Sequence, residues 1–289
     1  MRTEDFTYFK FPFYEFNPIQ SKVIPLVEKE GNLIVSFKPG TGKTAIAEAC
    51  FAYHLKSSSQ RVAYICPFRA LANQKAESWK EKFHGYGVKV ISGDSSTSLS
   101  DLVEKDRIII FTTESFDMHI KNCNEYSCIC FDEAHLVGDS ERGKTYESAV
   151  IKAAETSRII FLSGTLTNAK DLAKWIKIIS GKTTYCCESQ WTPNKFDIRY
   201  HYVERYKEIE TAVKLVKEYQ NTKTIIFVHS KLVGKSIMNE LKKNKIRAVF
   251  HNSTLPEGKR KRYEDLFENI YSGIDVIVAT STLAAGVNL

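Results

Sequence analysis

The stretch L-I-V-S-F-K-P-G-T-G-K-T, residues 33–44, decides how the rest of the chain is read. It begins as a short apolar run at 33–37, the length and composition of a buried strand. It then turns through Pro39, Gly40 and Gly42 and opens into A-I-A-E-A-C-F-A-Y-H-L-K at 45–56, an alanine-rich helical stretch. A strand, a glycine-rich turn and a helix in that order form a cradle for phosphate. Glycines let the backbone N–H groups point inward, and the helix N-terminus adds its positive dipole. The expected binding set is Pro39, Gly40, Thr41, Gly42, Lys43 and Thr44, with Lys43 on the β- and γ-phosphates and the Thr44 hydroxyl on Mg²⁺. One departure from the usual pattern is visible, since its first glycine position holds Phe37.

Outward from this stretch, apolar runs at 62–66, 88–91, 108–111, 127–131 and 159–163 alternate with amphipathic stretches such as 71–83 and 170–179. That alternation predicts an α/β fold, a parallel sheet with helices on both faces. The rhythm breaks at 183–197, T-T-Y-C-C-E-S-Q-W-T-P-N-K-F-D, which reads as a linker. It resumes with helix, strand, helix, strand, helix and strand at 209–219, 224–228, 234–243, 247–250, 257–268 and 275–279. Two domains are expected, 1–190 and 191–289, as suits a chain of 289 residues.

Composition excludes several classes. The 43% apolar and 26% charged residues are those of a globular chain, neither disordered nor collagen-like. No apolar run approaches the ~20 residues of a membrane helix, and M-R-T-E-D-F-T-Y-F-K is no signal or transit peptide. An intracellular location follows, cytoplasm or nucleoid, or nucleus in a eukaryote. The seven cysteines form no C-x-x-C, which points to reduced core thiols and no structural metal. The net charge of +7 is uneven: residues 1–190 carry +1 and residues 191–289 carry +6. A polyanion partner gripped mainly by the second half would suit that asymmetry.

A second motif follows the apolar run at 127–131: F-D-E-A-H, residues 131–135. Some ninety residues after a phosphate loop, such an acidic pair at a strand end is suited to phosphoryl transfer. Asp132 would hold Mg²⁺ and Glu133 would orient and deprotonate the attacking water, with Lys43 completing the catalytic set.

With these two motifs the chain resembles superfamily 2 helicases, and within them the superkiller-like branch that includes the archaeal Hjm-type DNA helicases. The resemblance runs from about residue 11 to residue 289 and rests on motifs in order. F-P-F-Y-E-F-N-P-I-Q at 11–20 is similar to the branch's adenine-recognition segment, with Gln20 reading the base and Phe16 or a neighbour stacking on it. C-P-F-R-A-L-A-N-Q at 66–74, S-G-D at 92–94 and T-T-E-S-F-D at 112–117 resemble motifs Ia, Ib and Ic. L-S-G-T-L-T-N-A at 162–169 resembles motif III, with Gly164 where alanine is usual and Ser163 and Thr165 as coupling residues. I-F-V-H-S at 226–230 and A-T-S-T-L-A-A-G-V-N-L at 279–289 resemble motifs IV and V, Gly286 and Asn288 sensing the nucleotide.

The resemblance implies two RecA-like lobes, 1–190 and an incomplete 191–289, that use ATP and Mg²⁺ to move along a nucleic-acid strand. It implies strand contacts from Pro67, Arg69, Gly93, Asp94, Thr112 and Thr113 in the first lobe and from His229, Ser230, Thr280 and Thr282 in the second. Such contacts to phosphates position a strand without reading its sequence. The partner is single-stranded or forked nucleic acid, DNA favoured, with RNA unwinding by the same branch or a non-unwinding ATP-dependent clamp as alternatives. The early aromatics Phe6, Tyr8, Phe9, Phe11, Phe13 and Tyr14 are expected to anchor the N-terminal segment on the first core. The family's motif VI, which carries an arginine finger, is not in the sequence. The 289 residues are therefore expected to be a fragment or truncated relative, binding ATP but nearly inactive in hydrolysis.

Overall fold

In the computed structural model, residues 1–93, 98–121, 123–164, 166–193, 195, 197–219, 222–280 and 283 are described. They divide into two compact units, Met1–Phe196 and Asp197–Leu289. The first holds β1 (Asn32–Phe37), α2 (Lys43–Ser57) after the short α1 (Gln20–Val23), β2 (Arg61–Cys66), α3 (Arg69–Lys82) and β3 (Gly87–Ile91). It continues through β4 (Asp106–Thr112), α4 (Thr113–His119), β5 (Tyr126–Phe131), α5 (Gly143–Ala154), β6 (Arg158–Ser163), α6 (Ala169–Ser180) and β7 (Thr184–Ser189).

Its strands form one parallel sheet in the order β3-β4-β2-β5-β6-β1-β7. Side chains alternate between two cores because successive strand residues point to opposite faces. Leu33, Val35, Tyr64, Cys128, Cys130 and Ile160 pack on the face shared with α2 and α3. Ile34, Ile65, Phe111, Ile129 and Phe161 pack on the face shared with α5 and α6. Burial on both faces explains why these strands are continuous apolar runs. Cys128 and Cys130 lie on one face, and the seven thiols are free.

One expectation is corrected. The linker predicted from 183 onward begins with a strand: β7 pairs in register with β1, Asn32 opposite Thr184 through Phe37 opposite Ser189. The strand was hidden because it lies at the sheet edge. Its residues T-Y-C-C-E-S are half-buried, with Glu188 exposed, and show no apolar run.

The second unit contains α7 (Glu208–Glu218), β8 (Thr224–Phe227), α8 (Lys231–Lys243), β9 (Ala248–His251), α9 (Glu257–Glu268) and β10 (Val276–Ala279). Its parallel sheet runs β8-β10-β9. Val213, Val216, Ile237 and Leu241 of α7 and α8 cover one face, and Phe267 of α9 packs with Val249 and Ile277 on the other. Two parallel α/β units are the architecture expected of two RecA-like lobes.

Candidate nucleotide and strand site

The loop 38–42 leaves β1 at the carboxyl edge of the first sheet, where parallel sheets place their ligands. Gly40 and Gly42 adopt φ of 75° and 76°, the left-handed region that a side chain resists, and α2 begins at Lys43. Thr41 is buried, and its hydroxyl donates to the Lys38 carbonyl at 2.7 Å, closing the turn. Lys43 reaches back over the loop, its Nζ donating to the Phe37 carbonyl at 3.1 Å. Burial pushes its ammonium pKa down, while the carboxylates of Glu133 and Asp132 oppose that. A phosphate entering the loop would meet this cation and a ring of N–H groups.

Asp132 and Glu133 follow β5, one strand removed from β1. Asp132 is held three ways: Oδ2 accepts from the Tyr64 hydroxyl at 2.5 Å, Oδ1 from the Glu133 N–H at 3.0 Å, and its carbonyl from the Tyr146 hydroxyl at 2.9 Å. Glu133 is a non-glycine residue at φ 53°, a conformation that costs energy and recurs at functional sites. Its pKa is raised by burial and by the neighbouring Asp132 charge, against the effects of His135 and Lys43. His135 Nδ1 lies 3.3 Å from both Glu133 Oε2 and Ser163 Oγ, tying the D-E-A-H turn to the end of β6. Gly164 borders the loop as well: a Cβ there would come within 3.3 Å of Pro39 Cδ, so the glycine gives the loop room that alanine would narrow.

The donor set also fits a hard cation, which takes hydroxyl and carboxylate oxygens. Thr44 and Asp132 supply one of each. The Thr44 hydroxyl already faces a positive charge, the Lys75 ammonium at 2.9 Å, whose pKa burial pushes down while the carboxylates of Asp132 and Glu48 oppose that. Sequence reading missed Lys75. It stands one residue past the quoted motif Ia, and its pairing with Thr44 is a tertiary contact with no local signature.

Segment 17–20 grips the loop from the other side. Asn17 Nδ2 donates to the Thr41 carbonyl at 2.9 Å and Gln20 Nε2 to the Gly42 carbonyl at 3.0 Å. Gln20 thus contacts the phosphate loop here, its Oε1 accepting from the Asn17 N–H. Phe16 is corrected. Its ring is 4% exposed and packs edge-on against Phe11 and Phe13, so it presents no free face to a base. Phe6, Phe11 and Phe16 are buried in the first core, with Tyr8, Phe9 and Phe13 packed against it, whereas Tyr14 is 62% exposed.

The strand-contact set divides. Arg69, first residue of α3, and Gly93, after β3, are exposed at the sheet's carboxyl edge. Pro67 is buried, its carbonyl accepting from Arg142 Nη1 at 3.4 Å. Thr112 and Thr113 are corrected as side-chain donors. They are 5% and 4% exposed, the Thr112 hydroxyl accepts from the Ser115 N–H as the cap of α4, and the Thr113 hydroxyl is enclosed. In the second unit His229 is exposed and Ser230 caps α8 by accepting from the Val233 N–H. Thr280 is 8% exposed, and its N–H donates to the His251 carbonyl. Asp94, Thr165, Thr282, Gly286 and Asn288 lie outside the described residues. Among the described residues, no group of three or more His, Cys, Asp or Glu could hold a metal ion, and no helix is long and apolar enough to cross a membrane.

Comparison with known proteins agrees with this geometry. Residues 17–172 match the DEAD/DEAH box helicase family and residues 207–289 match the helicase conserved C-terminal domain. The chain is 28% identical to the ATP-dependent DNA helicase Hel308 of Pyrococcus abyssi, across 95% of this chain and 44% of that protein. It is 32% identical to the DExH-box ATP-dependent RNA helicase DExH9 of Arabidopsis thaliana, across 67% of this chain and 19% of that protein. It is 28% identical to activating signal cointegrator 1 complex subunit 3 of Gallus gallus, across 96% of this chain and 15% of that protein. The chain thus spans less than half the length of these relatives. Because the first match alone takes in more than half of its residues, the chain belongs to the DEAD/DEAH box helicases, in the superkiller-like branch of superfamily 2.

Proposed function

We propose that this protein is an ATP-dependent helicase or translocase that couples ATP hydrolysis to movement along a single strand of nucleic acid and to duplex unwinding. The observation that carries the reading is the meeting, at one sheet edge, of Lys43 and Thr44 on the phosphate loop with Asp132 and Glu133 after β5. In-line phosphoryl transfer needs a positioned water and neutralised charge. Lys43 supplies a cation to the β- and γ-phosphates, and Glu133, with its raised pKa, takes a proton from the attacking water. Thr44 and Asp132 would hold Mg²⁺, which neutralises charge on the phosphates when bound. Tyr64 and Tyr146 fix Asp132 from both ends. His135, bonded to Ser163, links the acidic turn to the segment resembling motif III.

DNA is the first strand to test, because the relative matching along 95% of this chain is named a DNA helicase. RNA is the second reading, favoured by the 32% identity to a protein named an RNA helicase. Unwinding of matched DNA and RNA duplexes by the full-length protein separates the two. The site itself is tested by two variants. Lys43→Ala should abolish nucleotide binding, whereas Glu133→Gln should bind nucleotide normally and hydrolyse it roughly 10²-fold more slowly, the scale for a positioned base. Equal loss of affinity in both variants would overturn the assigned roles. Turnover indifferent to single strands would leave an ATP-dependent clamp as the better description.

A further inference from the structure

Helices α2 and α3 meet along one stripe of polar side chains inside the first unit. Thr44 and Glu48, one turn apart on α2, face Lys75, Trp79 and Lys82 on α3. Lys75 Nζ donates to Thr44 Oγ1 at 2.9 Å. Trp79 Nε1 and Lys82 Nζ both reach Glu48 Oε1, at 2.8 and 2.7 Å. The second half of the stripe is a structural pairing, because Glu48 is buried and its Oε1 accepts both bonds. The first half differs. Its acceptor is the hydroxyl assigned to the cation.

We propose that Lys75 is a built-in stand-in for the divalent cation: its ammonium, hydrogen-bonded to Thr44 Oγ1, takes the hydroxyl that Mg²⁺ would use, and it must give up that hydroxyl when Mg²⁺ enters. This rests on the reading of Thr44 and Asp132 as the cation-holding groups. Both would draw on the same hydroxyl oxygen. A magnesium ion bound to Thr44 Oγ1 would sit about 2.1 Å from that oxygen, and an ammonium kept at its present distance would lie a few ångströms from a doubly charged ion. Like charges that close in a partly buried site repel strongly. Lys75 suits the task because its charge rides on a flexible four-carbon stem and can swing away.

The consequence is a specific dependence of nucleotide binding on Mg²⁺. Without Mg²⁺, the Lys75 ammonium remains as a counter-charge for the incoming phosphates. With Mg²⁺, it must be displaced, which offsets part of what the ion contributes. Lys75 therefore narrows the gap between the two affinities, and removing its charge should widen it.

The test is the equilibrium binding of a fluorescent ADP analogue to the full chain, in EDTA and in excess Mg²⁺. Lys75→Met keeps the stem without the charge, and its ratio of the two dissociation constants should exceed the wild-type ratio by roughly 10-fold. Lys75→Arg keeps a cation and should keep the wild-type ratio. Thermal melts of each variant identify any that fails to fold, and Lys75→Gln then replaces Lys75→Met in the same comparison. Nucleotide binding by the wild type with an unchanged ratio in the neutral variant would overturn this proposal and leave the nucleotide site intact. A smaller ratio would show that Lys75 assists Mg²⁺, which also overturns it. Absence of nucleotide binding by the wild type would overturn the site reading together with this one.

Discussion

His54, on α2, has an enclosed Nε2 with no hydrogen-bond partner among the described residues. Burial, then the charge of Arg158, lowers its pKa to about 4. A histidine depressed in the folded state contributes no penalty above its unfolded pKa of 6.5. Below that value the unfolded chain binds the proton more readily, so stability falls as the pH drops from 6.5 towards 4. The full loss is at most about 3.5 kcal/mol, from ~1.4 kcal/mol per unit. His54→Leu should flatten that acid limb: the melting temperature of the variant minus that of the wild type should rise between pH 7 and pH 4. Parallel curves would show that His54 does not titrate in this window. Single residues were unevenly legible in the sequence. Lys43, Thr44, Asp132 and Glu133 stand out by spacing, and they lie after strands of one sheet. Phe16 was misjudged because spacing does not say which aromatic of a cluster faces inward, and Lys75 was invisible because its partner lies 31 residues away.

Strands and helices were legible wherever burial imposed a periodicity. The inner strands are apolar on both faces and stand out, whereas β7 has one neighbour and a polar sequence. Its place is set instead by contacts from the far end of the chain. Asn32 N–H donates to the Thr183 carbonyl at 2.7 Å, and Gly31, at φ 114°, allows that carbonyl an approach that a Cβ would block at 2.5 Å. The pairing of α2 with α3 is likewise a tertiary matter, and it makes a prediction about elements. Lys82 is the counter-charge of Glu48, whose side chain is only 3% exposed, against 33% for the lysine. Lys82→Met would leave a buried carboxylate with the Trp79 indole N–H as its remaining hydrogen-bond donor among the described residues. Breaking a buried pair costs ~3–5 kcal/mol, and the partial exposure of the lysine reduces that to about 2. Lys174→Met, which breaks an exposed pair with Asp171 on α6, should leave stability unchanged within error. Urea midpoints for the two variants check this, and equal shifts would mean that the α2–α3 stripe is no more than surface decoration.

At the scale of the whole molecule the question is whether the basic surplus acts as a bulk charge or as a located contact. The surplus is concentrated after residue 190, yet net charge alone would attract any polyanion without orienting it. Helix α8 allows the two to be separated, because it carries exposed lysines at both ends. Lys231 and Lys235 lie in its first turns, directly after His229 and Ser230, while Lys242 and Lys243 lie in its last. Replacing either pair by glutamine lowers the net charge by the same amount. A phosphate contact releases counterions, and each one lost from a single strand reduces the slope of log affinity against log salt by ~0.7. If the carboxyl edge of the second sheet holds the strand, Lys231→Gln with Lys235→Gln should reduce that slope by about 1.4. It should weaken oligonucleotides of every sequence alike, because backbone contacts carry no base information. Lys242→Gln with Lys243→Gln should leave the slope nearly unchanged. The measurement is fluorescence anisotropy of labelled oligo-dT and of a mixed-sequence oligonucleotide across a salt series. Equal reductions from the two pairs would mean that the second unit attracts nucleic acid only through its total charge, and the contacts placed at His229 and Ser230 would have to be abandoned.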